Sequence, residues 1–130
     1  MTKGAGRVRG VLLVDHGTRS EAANATLLAL AEAVARARPD WLVEAAHMEL
    51  TPPDVGTAID VLVERGAHEI HVHLHFLVAG YHVRESLPAL VARARERHPS
   101  IAIELTDPLG DDPRLLEIVL DRLDARTGRD

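Results

Sequence analysis

Cysteine is absent from the 130 residues. That removes disulfides, zinc ribbons and cysteine-bound iron–sulfur clusters together, so any metal chemistry here uses His, Asp or Glu. Aromatics are nearly absent as well, with one Trp, one Tyr and one Phe. The core must therefore be built from Val, Leu, Ile and Ala, and flat rings on which nucleic-acid bases could stack are scarce. Lysine is reduced to Lys3, no long Lys/Arg run occurs, and the formal net charge is -5. This is a poor surface for nucleic acid or an anionic membrane. No apolar run approaches membrane-spanning length, and the opening Met-Thr-Lys-Gly-Ala-Gly-Arg lacks the apolar centre of a secretory signal. The expectation is a soluble, cytoplasmic protein with flexible ends at 1–7 and 127–130 around one domain at 8–126.

The hydrophobic pattern alternates between two kinds of element. Val11-Leu12-Leu13-Val14 is apolar on both faces, as an interior parallel strand requires, and it stops at Asp15-His16-Gly17-Thr18-Arg19. Ser20 is placed to cap a helix whose apolar stripe is Ala23, Leu27, Leu30, Ala31 and Val34, ended by Pro39. Trp41 to Leu50 reads as a second strand. Thr51-Pro52-Pro53-Asp54 breaks it and starts a helix with Val55, Ala58, Ile59, Leu62 and Val63 on one side and Gly66 at its exit. A third strand runs from Ile70 to Phe76, and the chain is expected to turn at Gly80. Ser86-Leu87-Pro88 opens a third helix that ends before Pro99, Ile101 to Leu105 forms a fourth strand, and a last helix follows Asp112-Pro113 and reaches about Arg126. Four β-α units in succession predict a single-domain α/β fold, an open and mostly parallel four-stranded sheet with helices on both faces.

In such a sheet the C-terminal strand ends share one edge, where ligands bind. The first three strands end in segments carrying His16, His47 and His82, so scattered histidines converge there. Imidazole suits divalent iron, cobalt, nickel and zinc, and it exchanges protons near neutrality. The third strand adds a second group. Ile70, Val72, Leu74 and Phe76 alternate with His71, His73 and His75, giving one apolar face and one of imidazole. Two readings of that face stand: histidines hydrogen-bonded or partly wet near a sheet edge or subunit contact, or an accessory metal relay in which His47 could share. Neighbours at this spacing lie roughly 6 to 7 Å apart along the strand, long for two ligands of one ion unless the side chains lean. Glu49 could ligate metal or shuttle protons, or simply face solvent. Arg19 and Arg84 flank the loop histidines and could bind an anionic substrate or be ordinary surface residues, while His68 and His98 read as surface. No glycine-rich phosphate-binding pattern is present.

Four stretches together resemble a known family: Asp-His-Gly-Thr-Arg-Ser-Glu-Ala-Ala-Asn, His-Met-Glu-Leu, Gly-Tyr-His-Val-Arg-Glu-Ser-Leu-Pro and Asp-Pro-Leu-Gly-Asp-Asp-Pro. In this order on this framework they are similar to the small CbiX/SirB-type sirohydrochlorin chelatases, over about residues 8 to 123. The resemblance implies a chelatase-like domain, one half of a bilobal class II chelatase, that pairs as a homodimer. It implies a lyase inserting a divalent metal into sirohydrochlorin, in siroheme or cobalamin biosynthesis, with His16 and His82 as metal ligand and proton acceptor. Glu49 falls at a family acidic position, and Arg19, Arg84 and Tyr81 are placed to hold the substrate's carboxylates. The metal is a substrate, and no permanently bound cofactor is implied. The Val-Asp-His-Gly and His-Met-Glu-Leu wording is nearest to the iron-inserting branch, favouring Fe2+ over Co2+, with Ni2+ as a further alternative. Many relatives carry apolar residues or Pro where this chain has His71, His73 and His75. The rival reading from another class is a non-enzymatic, His-rich divalent-metal carrier.

Overall fold

Apolarity on both sides puts the first strand in the interior of the sheet. In the computed structural model, which describes residues 7–78 and 80–127, β1 (Arg9–Asp15) has Val11, Leu12, Leu13 and Val14 all buried. The tails expected at 1–7 and 127–130 fall almost wholly outside the described residues. β1 pairs in parallel with β2 (Leu42–His47) on one side and β3 (Glu69–Leu74) on the other. β4 (Ala102–Leu105) then pairs in parallel with β3, giving the order β2-β1-β3-β4.

Helices cover both faces. Leu12, Val14, Ile70, Val72 and Leu74 share a core with Ile59 and Leu62 of α2 (Val55–Glu64) and with Leu87 and Val91 of α3 (Leu87–Arg97). On the opposite face Val11 and Leu13 pack against Leu27 and Ala31 of α1 (Glu21–Ala37), with Trp41 closing the end. Burying each large aliphatic side chain is worth about 1.5–3 kcal/mol. Local chemistry fixes the helix starts: the Ser20 hydroxyl accepts from the Ala23 N–H at 3.2 Å, and the Asp54 carboxylate accepts from the Thr57 N–H at 2.7 Å. Those bonds to Thr57 hold the Asp54 carboxyl below its usual range.

Several expectations need correction. β2 ends at His47 rather than Leu50; the chain bends away there, and Leu50 adopts φ +72°, a region costing a residue with a β-carbon about 1–2 kcal/mol. Residues expected to form the turn after Gly80 are helical from Tyr81, with a π-helical turn at His82–Ser86 running into α3. Gly80 has no left-handed backbone angle, and a β-carbon there would meet nothing within 4 Å. His98 is not a plain surface residue: its Nε2 lies 2.7 Å from Asp60, and that bond is the main reason the Asp60 carboxyl titrates low. α4 (Arg114–Thr127) leaves Leu116, Ile118, Val119, Leu120 and Leu123 exposed.

The start of β3 is tied down electrostatically. Glu69 accepts from Arg9 at 2.9 Å and Arg7 at 3.3 Å and lies 3.2 Å from His71; these partners, Arg9 foremost, pull its carboxyl from 4.5 to about 2. A folded value below the unfolded one means that the stabilisation is complete above about 4.5 and is lost as pH falls towards 2. Because the arginines are exposed, its size is about 1 kcal/mol or less. Glu69→Gln is therefore expected to be slightly less stable than the parent in urea at pH 6 and equal to it near pH 2. A gap that stayed constant over that range would sink the assignment.

Candidate active site

The first histidine loop is clamped from three directions. The Asp15 and His16 carbonyls accept from the Met48 and Glu49 N–H groups at 2.9 and 3.0 Å, which pins the loop to the chain leaving β2. From α1, Asn24 brackets residue 18: its carbonyl accepts from the Thr18 N–H at 3.0 Å, and its amide donates to the Thr18 carbonyl at 2.7 Å. Across the end of β3, the His16 ring meets Phe76 edge-to-face, with centroids 4.8 Å apart and planes at 86°. His16 is nonetheless exposed. An imidazole held in place yet open to solvent can take a proton from a ligand or bind an incoming cation.

Gly17 makes the clamp possible. It sits at φ +87°, and a β-carbon would run into the Glu49 carbonyl oxygen and come within 3.0 Å of the His47 Cβ. Only glycine allows the two chain segments to approach so closely.

His47 closes β2 opposite Asp15 in register, and its Nδ1 lies 2.6 Å from the Asp15 carboxylate. An ionised carboxylate only accepts, so Nδ1 carries the hydrogen. His47 is buried, 7% exposed, and it borders a 380 Å³ cavity with Glu21, Asn24 and Thr51. It is thus a loop anchor beside the site, and its Nδ1 is not open to a metal. Asp15 and Asn24 acquire roles that composition did not reveal. Their signal was their place inside the Asp-His-Gly-Thr-Arg-Ser-Glu-Ala-Ala-Asn stretch, but the partners are 32 residues apart for the Asp15–His47 pair.

The other expected residues gather at the same edge. Glu49 is exposed in the bend after β2 and is tied to His16 through its backbone. The backbone of His82 opens the π-helical turn that follows β3; its side chain lies outside the described residues. Tyr81 is 68% exposed and lines a 510 Å³ cavity with Met48, Glu85 and Arg93. Arg93 was not anticipated. Arg19 and Arg84 are exposed, and neither forms a salt bridge among the described residues, unlike Arg7, Arg9, Arg65, Arg97 and Arg114. Arg19 and Arg84 follow His16 and His82 in the chain by three and two residues. Of the strand histidines, His71 is engaged by Glu69, while His73 and His75 lean towards each other. Among the described residues no helix is long and apolar enough to cross a membrane.

Comparison with known proteins adds to this geometry. The sequence pattern of the CbiX family matches residues 10–126. The chain is 34% identical over 120 residues to the chloroplastic sirohydrochlorin ferrochelatase of Arabidopsis thaliana, covering 92% of this chain and 53% of that protein. It is 30% identical over 129 residues to the sirohydrochlorin cobaltochelatase of Methanothermobacter thermautotrophicus, covering 88% of this chain and 90% of that one. The sirohydrochlorin chelatase SirB of Bacillus subtilis subspecies spizizenii, solved in complex with cobalt, superposes with a TM-score of 0.83 at 29% identity. That match covers 90% of this chain and 50% of SirB. The chain thus spans about half or less of the plant and Priestia megaterium relatives and nearly all of the archaeal one.

Proposed function

Since the chain belongs to the CbiX family, we propose that it is a sirohydrochlorin chelatase that inserts a divalent metal into the tetrapyrrole, with the domain spanning 8–126. The observation that carries this reading is the exposed His16 imidazole, clamped at the C-terminal sheet edge where the His82 turn also begins. Insertion requires two pyrrole protons to leave as the ion enters. A neutral imidazole can accept a proton or hold the ion, and His16 and His82 divide these roles. Glu49 assists proton removal or metal delivery, and Arg19, Arg84 and Tyr81 anchor substrate carboxylates. The metal is consumed as substrate. Fe2+ is placed ahead of Co2+, supported by the 34% identity to a plant ferrochelatase.

The test is an anaerobic absorbance time course of sirohydrochlorin with Fe2+ or Co2+, with and without protein. Faster insertion with protein supports the reading, and the ratio of the two rates names the metal and hence siroheme or cobalamin as the destination. No acceleration over the protein-free control overturns it.

A homodimer belongs to the same proposal. The chain equals about half of the SirB chain it superposes on, so a second copy stands where SirB has its other half. The exposed Leu116, Val119, Leu120 and Leu123 of α4 supply an apolar surface for that contact. Size-exclusion chromatography with light scattering is expected to give twice the 14.1 kDa chain mass; an active monomer would contradict it. A cytoplasmic location is also part of the proposal, supported by the absence of cysteine.

A further inference from the structure

His47 and the three alternating histidines His71, His73 and His75, all outside the insertion site, part company. His47 is committed to Asp15 and His71 to Glu69. His73 and His75 lean towards one another instead, with ring centroids 5.4 Å apart and planes tilted by 51°. The lean brings Nε2 of His73 to 3.3 Å from Nδ1 of His75, although strand geometry sets their Cα atoms roughly 6 to 7 Å apart. Two nitrogens bound to one ion at about 2.1 Å sit about 3.0 Å apart at a right angle and about 3.4 Å apart at the tetrahedral angle. The geometry points to a second divalent-cation site, formed by His73 and His75 on the α1 side of the sheet and independent of the insertion site.

Without an ion the same distance is spanned by one N–H···N hydrogen bond. Binding needs only that this proton shift to the far nitrogen of the same ring, since both ligands are neutral imidazoles.

The surroundings suit a cation on one side and are apolar on the other. Both histidines line a 430 Å³ cavity with Val11, Leu13, Leu30 and Trp41, an almost wholly apolar wall. His73 also borders a 460 Å³ cavity that contains Asp107 and Asp111; their carboxylates draw cations towards the open side. Among the described residues no group of three or more His, Asp or Glu is spaced to hold an ion, so water completes the coordination. Two imidazoles select Co2+, Ni2+ or Zn2+ over Mg2+ and Ca2+.

The test uses the full chain with His16→Ala and His82→Ala, which removes the insertion-site histidines, titrated with Co2+ by anaerobic calorimetry. One Co2+ per chain is expected to remain bound. Adding His73→Ala or His75→Ala is expected to weaken that binding at least tenfold, whereas His71→Ala leaves it unchanged. Circular dichroism confirms folding, and His73→Gln, which keeps the side chain's bulk, should lose binding as well. No bound Co2+ in the starting variant, unchanged affinity after His73→Ala, or an equal loss with His71→Ala would overturn the site. Whether the protein also inserts metal does not enter this readout.

Discussion

Replacing His16 with alanine is expected to slow metal insertion into sirohydrochlorin by about 10²–10⁴-fold, the range lost with a positioned proton acceptor, while the protein stays folded. The imidazole is exposed and packs edge-on against Phe76, so its removal opens no core cavity. The bonds that hold the loop use the carbonyl of His16, which alanine retains, and the Asn24 clamp on residue 18 is untouched. Activity and stability should therefore separate: the anaerobic time course collapses, and thermal unfolding followed by circular dichroism hardly moves. His16→Asn refines the result, because an amide can still donate or accept a hydrogen bond but cannot take up a proton near neutrality. Loss in both variants assigns His16 a role that needs an imidazole, as proton acceptor or as holder of the ion. Recovery in the Asn variant assigns it a polar contact instead, and full activity in the Ala variant removes it from the mechanism.

The second large effect is expected at the next residue. Gly17→Ala must place a β-carbon against the Glu49 carbonyl at a backbone angle of +87°, combining left-handed strain of about 1–2 kcal/mol with a clash against backbone. A loss of at least about 2 kcal/mol follows, or roughly 8 °C in Tm for a domain of this size. Relief comes by pulling the loop away from residues 47–49, which breaks the bond from the Glu49 N–H to the His16 carbonyl and releases the imidazole. Activity should fall with stability. Gly80→Ala is the control: it also lies next to a histidine segment, yet its β-carbon meets nothing within 4 Å, and its Tm should stay within a degree or two. Equal behaviour of the two variants would refute the steric account.

That contrast shows where sequence reading stops. Gly17 and Gly80 look alike as punctuation before or after a histidine, but Gly17 is crowded by a segment 30 or more residues away, whereas a β-carbon at Gly80 meets nothing within 4 Å. The third strand was legible because apolar and imidazole residues alternate with period two, and burial follows that alternation from Ile70 to Phe76. The same period over-extended β2, since Met48 and Leu50 continue the pattern after the backbone has left the sheet at His47. For residues 81–86 a helical signal is present in the sequence: Val83, Leu87 and Val91 recur every four residues, and all are buried. That the strand ends share one edge was readable from the succession of β-α units alone. The Asp15–His47 pair was not, because parallel register places those residues side by side without any local mark. The lean of His73 towards His75 depends on rotamers, which spacing does not specify.

The strand order also bears on how the chain acquires its structure. β1 leaves the ribosome before the other three strands, yet it is bonded on both edges, and its second partner pairs Arg9 with Glu69 and Val14 with Leu74. A nascent chain ending at Glu64 already contains β1, α1, β2 and α2, but one edge of its most apolar strand is bare. Unpaired apolar edges of this kind recruit strands from neighbouring chains. The interval between synthesis of residues 15 and 74 is thus the period of greatest aggregation risk, and chaperone demand should fall once β3 has emerged.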